Sequence, residues 1–263
     1  MRAAWGVVGG IVGVIGAWRA APWLGSAPVA AVSVSAGDIE RGRHLATSVL
    51  GCAACHGEDL GGGVVASGPW HGTVVAPNLT PSGPCGAWTP EVWAAVLRSG
   101  RSPDGRLLRW MPSWRWSALS EADLADVVAW LDALPAAEGP PPQGTPGPGA
   151  WLTLLAGPVT TEACADGCPA PPRAPDAAYG AYLGGLAGCS DCHGAALQGH
   201  ALSTAGRVPR PGWTGADFAR AVITDGDGVA HAEVPTADYA RLELTEIDAL
   251  WQWARGAAPA PTD

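Results

Sequence analysis

The chain carries the pentapeptide Cys-x-x-Cys-His twice, as Cys52-Ala53-Ala54-Cys55-His56 and Cys189-Ser190-Asp191-Cys192-His193. Two thiols at this spacing can add to the two vinyl groups of haem, and the adjoining imidazole then reaches the iron from one face. One copy would leave zinc or thiol chemistry open. Two copies in matching surroundings point to two covalent c-type haems. Such groups need apolar cages, and the 14 Trp beside a single Phe supply broad rings at small entropic cost.

A length of 263 residues suffices for two small domains and a link. The formal net charge of -9 argues against nucleic acid as a partner and for a basic docking surface on another protein. The chain has no Lys, so every basic side chain other than histidine is Arg. Compositional bias explains that, together with the excess of Gly, Pro and Ala, better than function does.

Near the N-terminus, Arg2 precedes an apolar run bracketed by Trp5 and Trp18 and followed by Arg19. The run suits a signal-peptide core or a short membrane anchor. Val29-Ala30-Ala31 and Val34-Ser35-Ala36 are small-residue cleavage sites, whereas Arg19 and Pro22-Trp23 fit a signal's tail badly. The expectation is an anchor over residues 3–18, with cleavage to a soluble periplasmic form as the alternative. Either form exports the remainder, as covalent haem attachment requires.

Of seven cysteines, four lie in the haem motifs. Cys164 and Cys168 lack a following His and read as a local disulfide in an oxidising compartment. Cys85 is left over, an unpaired loop thiol.

One pattern is written twice. A helical stretch with Ile39, Leu45 and Val49 leads into Cys52, and one with Tyr179, Tyr182 and Leu186 leads into Cys189. Trp88-Thr89 and Trp213-Thr214 then open short helices, with each Thr as a candidate N-cap. A longer amphipathic helix closes each copy, after Ser120 and after Thr245. A Pro/Gly-rich stretch from Gly139 to Gly149 reads as an extended link, and Leu152-Thr153-Leu154-Leu155 as packing between the copies.

These residues resemble the class I c-type cytochromes, and more closely the tandem-haem cytochrome subunits of bacterial membrane-bound dehydrogenases. The carrying segments are Arg41 to Ala46, Cys52 to Gly57, Ala76-Pro77-Asn78-Leu79-Thr80-Pro81, Trp88-Thr89, Asp104-Gly105-Arg106, Met111-Pro112 and Leu119 to Pro135. The second copy matches at its leading helix, Cys189 to Gly194, Trp213-Thr214 and its closing helix, and has no counterpart of Asn-Leu-Thr-Pro.

The resemblance implies an all-α fold of two tandem class I modules with an N-terminal apolar helix. The expected divisions are 1–36 for the signal or anchor, 37–136 for module one, 137–175 for the link with the Cys164/Cys168 pair, 176–257 for module two and 258–263 for the tail. It implies two haem c groups bound through Cys52, Cys55, Cys189 and Cys192. His56 and His193 become the proximal iron ligands and Met111 the distal ligand of the first haem. Aligning Trp213 on Trp88 puts Val234-Pro235 where Met111-Pro112 stands, so the second haem needs another donor. His231 is the first candidate, His200 the second, and a vacant or water-occupied position the third.

Trp70, Trp88, Trp110, Trp114 and Trp116 are expected to wall the first haem, and Trp213, Trp251 and Trp253 the second. Arg98, Arg101, Arg106 and Arg109 are candidate propionate partners. The expected function is single-electron relay between a membrane or periplasmic donor and an acceptor such as a respiratory complex or oxidase. The alternative is a peroxidase-like or sulfur-oxidising dihaem enzyme with an open site at the second haem.

Overall fold

The structure is a computed structural model that describes residues 32–140, 144–156, 168–169, 171–199, 206–223 and 239–257. The expected N-terminal anchor, His200, His231 and Val234 lie outside them. Among the described residues no helix is long and apolar enough to cross a membrane.

Helix α1 (Ile39–His44) starts at Asp38, whose carboxylate accepts from the amides of Glu40 and Arg41, and it runs on as a π-helix over Leu45–Val49. The motif helix α2 (Cys52–His56) follows. Strands β1 (Gly63–Gly68) and β2 (Gly72–Ala76) form a bulged antiparallel hairpin. Helix α3 (Pro90–Ser99) has Pro at its first position, where a missing amide costs nothing, and closes on Gly100 at φ +64. Helix α4 (Ser113–Trp116) is a short turn after Met111. Helix α5 (Glu121–Asp132) is capped by Ser120, which accepts from the Asp123 amide at 3.1 Å.

The Pro/Gly-rich link is not extended throughout. It supplies β3 (Thr145–Pro146), which pairs with β2 through Gly72 and Thr73, and helix α6 (Pro148–Ala156), where Leu152 is exposed. The all-α expectation is corrected accordingly: a three-stranded antiparallel sheet in the order β1-β2-β3 accompanies the helices. β-Branched Val64-Val65 and Thr73-Val74-Val75 around a Gly-flanked turn make the hairpin.

In the second half, α7 (Ala177–Ala187) is capped by Asp176 and runs into the motif helix α8 (Cys189–His193) through Gly188. Helix α9 (Gly215–Ile223) begins with a reciprocal cap, in which Thr214 donates to Asp217 and the Asp217 amide donates back to Thr214. A 3-10 turn (Tyr239–Arg241) leads to α10 (Leu244–Ala257).

Helices α1 and α5 pack as a pair, and so do α7 and α10. Both crossings depend on glycine. A Cβ on Gly42 would overlap the Asp126 carbonyl and press on Trp130, and one on Gly180 would overlap the Ala249 carbonyl and press on Trp253. Ten positions separate Gly42 from Cys52, but nine separate Gly180 from Cys189. The π-helix at Leu45–Val49 absorbs the additional residue, since a widened turn accommodates one more residue within a helix.

A single hydrophobic core runs through both pairs, taking in Leu45, Val49, Trp93, Leu124 and Val127 with Tyr179, Leu183, Leu186, Ile247 and Leu250. Buried polar groups stitch across it. Arg41 donates to Glu246 at 2.9 Å and to the Tyr179 hydroxyl at 2.8 Å, and Tyr182 donates to Asp123 at 2.7 Å.

Candidate functional site

Each motif helix is launched from a left-handed glycine, Gly51 at φ +70 and Gly188 at φ +75, a conformation that costs glycine nothing. Gly57 and Gly194 then turn the chain at φ +80 and φ +78. The next apolar anchors, Leu60 and Leu197, are both fully buried and both left-handed, at φ +57 and φ +54. The Gly62 amide donates to the His56 carbonyl at 2.7 Å, and the Gly199 amide to the His193 carbonyl at 2.8 Å. The two sites thus share their backbone course residue by residue.

The imidazoles are oriented alike. His56 Nδ1 lies 2.8 Å from the Pro77 carbonyl, and His193 Nδ1 lies 2.7 Å from the Gly206 carbonyl. A carbonyl at Nδ1 fixes the tautomer with the proton there, so Nε2 carries the lone pair that could ligate a metal. Burial pushes the His56 imidazole below its ordinary range and so favours the neutral form that metals bind, against the opposing effect of the Pro77 bond. Burial also pushes the Cys52 thiol up to about 12 and the Cys189 thiol up to about 11.

The Pro77 carbonyl is held by its own frame. Asn78 accepts from the Thr80 amide at 2.8 Å and donates to the Ala137 carbonyl at 2.7 Å, which ties the segment to the end of α5. The second half lacks that frame in sequence, yet its backbone repeats the course. The Val208 amide donates to the Leu197 carbonyl at 2.9 Å, as the Leu79 amide donates to that of Leu60 at 2.9 Å. The sequence pattern does not reveal Gly206, because a backbone carbonyl acceptor leaves no side-chain signature.

Met111 is half-buried against the core, in the turn before α4, where its amide donates to the Leu108 carbonyl at 2.9 Å. Two polar atoms just beyond it, Ser113 Oγ and Trp116 Nε1, are buried without a protein partner. Ser113 is fully buried and Trp116 only 4% exposed. Orphaned donors in a core call for an acceptor supplied from outside the chain. A haem propionate is such an acceptor, so the residues present fit the group.

The tryptophans sit in distinct settings. Trp93 is buried and meets Trp88 edge to face at 4.7 Å. Trp70 is exposed, with its indole over Gly149 of α6, and so braces the hairpin against the link. Trp251 lies 5.6 Å from Phe218, and Trp253 fills the space beside Gly184. Of the candidate arginines, Arg98 is committed to protein groups. It donates to the Ser117 carbonyl at 2.7 Å and to Glu121 at 2.8 Å. Arg101 leans on the Gly105 carbonyl, Arg106 is exposed and Arg109 is half-buried. Cys85 is buried and free, and Cys168 is disulfide-bonded, while Cys164 lies outside the described residues.

Residues 37–131 match the family model for cytochrome c oxidase, cbb3-type, subunit III. That segment is a c-type cytochrome domain. It contains the first Cys-x-x-Cys-His motif and Met111, and it ends before the second motif. A c-type cytochrome domain carries covalent haem iron and serves electron transfer. No curated protein matches the chain.

Proposed function

We propose that this protein is a dihaem electron carrier: two tandem cytochrome c modules, each bearing one covalent haem, that pass single electrons between a donor and an acceptor. The observation that carries this reading is the shared geometry of the two motifs, in which a backbone carbonyl 2.7–2.8 Å from Nδ1 orients each histidine. Cys52 and Cys55 would hold the first haem and Cys189 and Cys192 the second, with His56 and His193 each supplying an imidazole to the iron. Met111 would supply a further ligand to the first haem, and His231 to the second. Haem supplies reversible one-electron chemistry, and thioether ligation raises its potential relative to imidazole.

The chain's own residues orient and insulate. Pro77 and Gly206 set the histidine rings, Ser113 and Trp116 offer donors to a propionate, and the surrounding core excludes water. The proposed setting is the periplasmic face of a bacterial inner membrane, with residues 3–18 as anchor. The proposed partners are a dehydrogenase on one side and a respiratory complex or oxidase on the other. The acidic balance of the chain favours basic docking faces on both.

Haem stoichiometry by pyridine haemochrome and intact mass, followed by potentiometric titration with electron paramagnetic resonance, tests the proposal. Two haems, both low-spin, with one His/Met and one bis-His signature, are expected. A single haem would overturn the dihaem reading. A high-spin signal that moves with cyanide or peroxide would favour an enzyme with an open second site.

A further inference from the structure

The segment that carries Met111 also reaches the other motif. Arg115, on α4, places Nε 2.7 Å and Nη2 2.6 Å from one carboxylate oxygen of Asp191, which stands between Cys189 and Cys192. The same guanidinium lies 3.5 Å from the Ala187 carbonyl at the end of α7. Trp114 Nε1 approaches the same Asp191 oxygen at 3.4 Å. Gly188 leaves the room for this: a Cβ there would overlap the Arg115 guanidinium. Four positions after the only methionine beyond Met1, the chain therefore sets a fixed cation against the second attachment helix.

We infer that Arg115 is an electrostatic positioning residue for the second redox centre, supplied by the first domain and balanced by Asp191. The inference rests on the two-haem reading above. A cation beside a redox centre disfavours the oxidised, more positive form, and an anion favours it. The pair together is nearly neutral, so each partner alone should displace the equilibrium in its own direction. Arg115 is 24% and Asp191 40% exposed, so added salt should weaken the effect.

The test uses the full-length, haem-loaded protein, with haem stoichiometry measured first and both potentials followed at low and high salt. The near-infrared sulfur-to-iron band reports the first centre separately. Arg115→Gln should make the second centre harder to reduce and Asp191→Asn easier, each by up to roughly tenfold in the reduction equilibrium, the order of one unit charge in a half-buried setting. Arg115→Lys and the double variant Arg115→Gln/Asp191→Asn should lie near wild type, and the first centre should not move.

Two haems in every variant with an unmoved second potential would overturn the inference, as would shifts of the same sign in both single variants. If Asp191→Asn fails to take its second haem, the opposed behaviour of Arg115→Gln and Arg115→Lys still decides. A wild-type protein with a single haem would instead sink the two-haem reading on which the inference stands.

Discussion

Arg41 Nη1 lies 2.9 Å from Glu246 Oε1, across 205 positions of sequence, and both side chains are buried. His44 holds the other oxygen of the same carboxylate at 2.8 Å. Two groups from the helix leading to the first motif thus close on one carboxylate of the last helix, and Arg41 also donates to the Tyr179 hydroxyl on α7. Removing one member of a buried pair strands the other, which costs more than the pair itself contributes. Glu246→Gln should therefore destabilise the protein by about 3–5 kcal/mol in chemical denaturation. Arg41→Met/Glu246→Leu should recover most of that loss, and a double variant as unstable as the single would contradict the account.

The same carboxylate predicts an acid response. Burial alone would raise the Glu246 carboxyl, but hydrogen bonds from His44 and Arg41 and the Glu243 amide bring it down to about 2 from an ordinary 4.5. A depressed folded value means stability present above the unfolded value and lost as pH falls through the folded one. Urea midpoints should drop between about pH 4.5 and about pH 2, and the drop should be shallower in Glu246→Gln. Equal slopes in the two proteins would exclude Glu246 as a source.

The helix crossings make a further test. Gly42→Ala and Gly180→Ala should each cost about 1–3 kcal/mol or more, because the new methyl meets backbone rather than a yielding side chain. Gly185 lies on α7 with nothing near its missing Cβ, so Gly185→Ala should stabilise by about 0.5–1 kcal/mol. Thermal unfolding of the three variants ranks them directly.

Met111→Ala should abolish the near-infrared sulfur-to-iron band and lower one potential, leaving the other nearly in place. If both centres fall together, the assignment of Met111 to the first alone is wrong.

Trp116→Phe removes the orphaned indole donor and part of a buried ring, and the packing loss falls on haem-loaded and haem-free protein alike. If that donor meets a propionate, the haem-loaded protein should lose about 1.5–3 kcal/mol more than the haem-free chain, the worth of a hydrogen bond to a charged group. An equal loss in both would place the indole in ordinary packing.

Much of this was legible in the sequence because it is local. Ser120 and Thr214 announce helix starts, and apolar spacing announces α1, α5, α7 and α10. The motif helices follow from Cys-x-x-Cys-His itself. The extra residue that the π-helix absorbs becomes countable only once the helix crossings show Gly42 and Gly180 to be equivalent. The hairpin was overlooked although its β-branched pairs were visible, since two short strands without a turn dipeptide such as Asn-Gly give a weak signal. The carbonyls of Pro77 and Gly206, and the meeting of Arg41 with Glu246, were out of reach. Backbone acceptors carry no residue code, and a pairing between chain ends depends on tertiary packing.

The link between the two halves carries a consequence for partner recognition. Its strand β3 is zipped onto β2, and ahead of that strand Gly139 runs close against Gly61. Two halves that share one core and a buried Arg41–Glu246 pair do not swing past each other through solution, so neither half shuttles towards a distant partner. Encounter then becomes a question of which fixed face of the whole molecule is presented, and specificity is read from that single outline rather than from the reach of an arm.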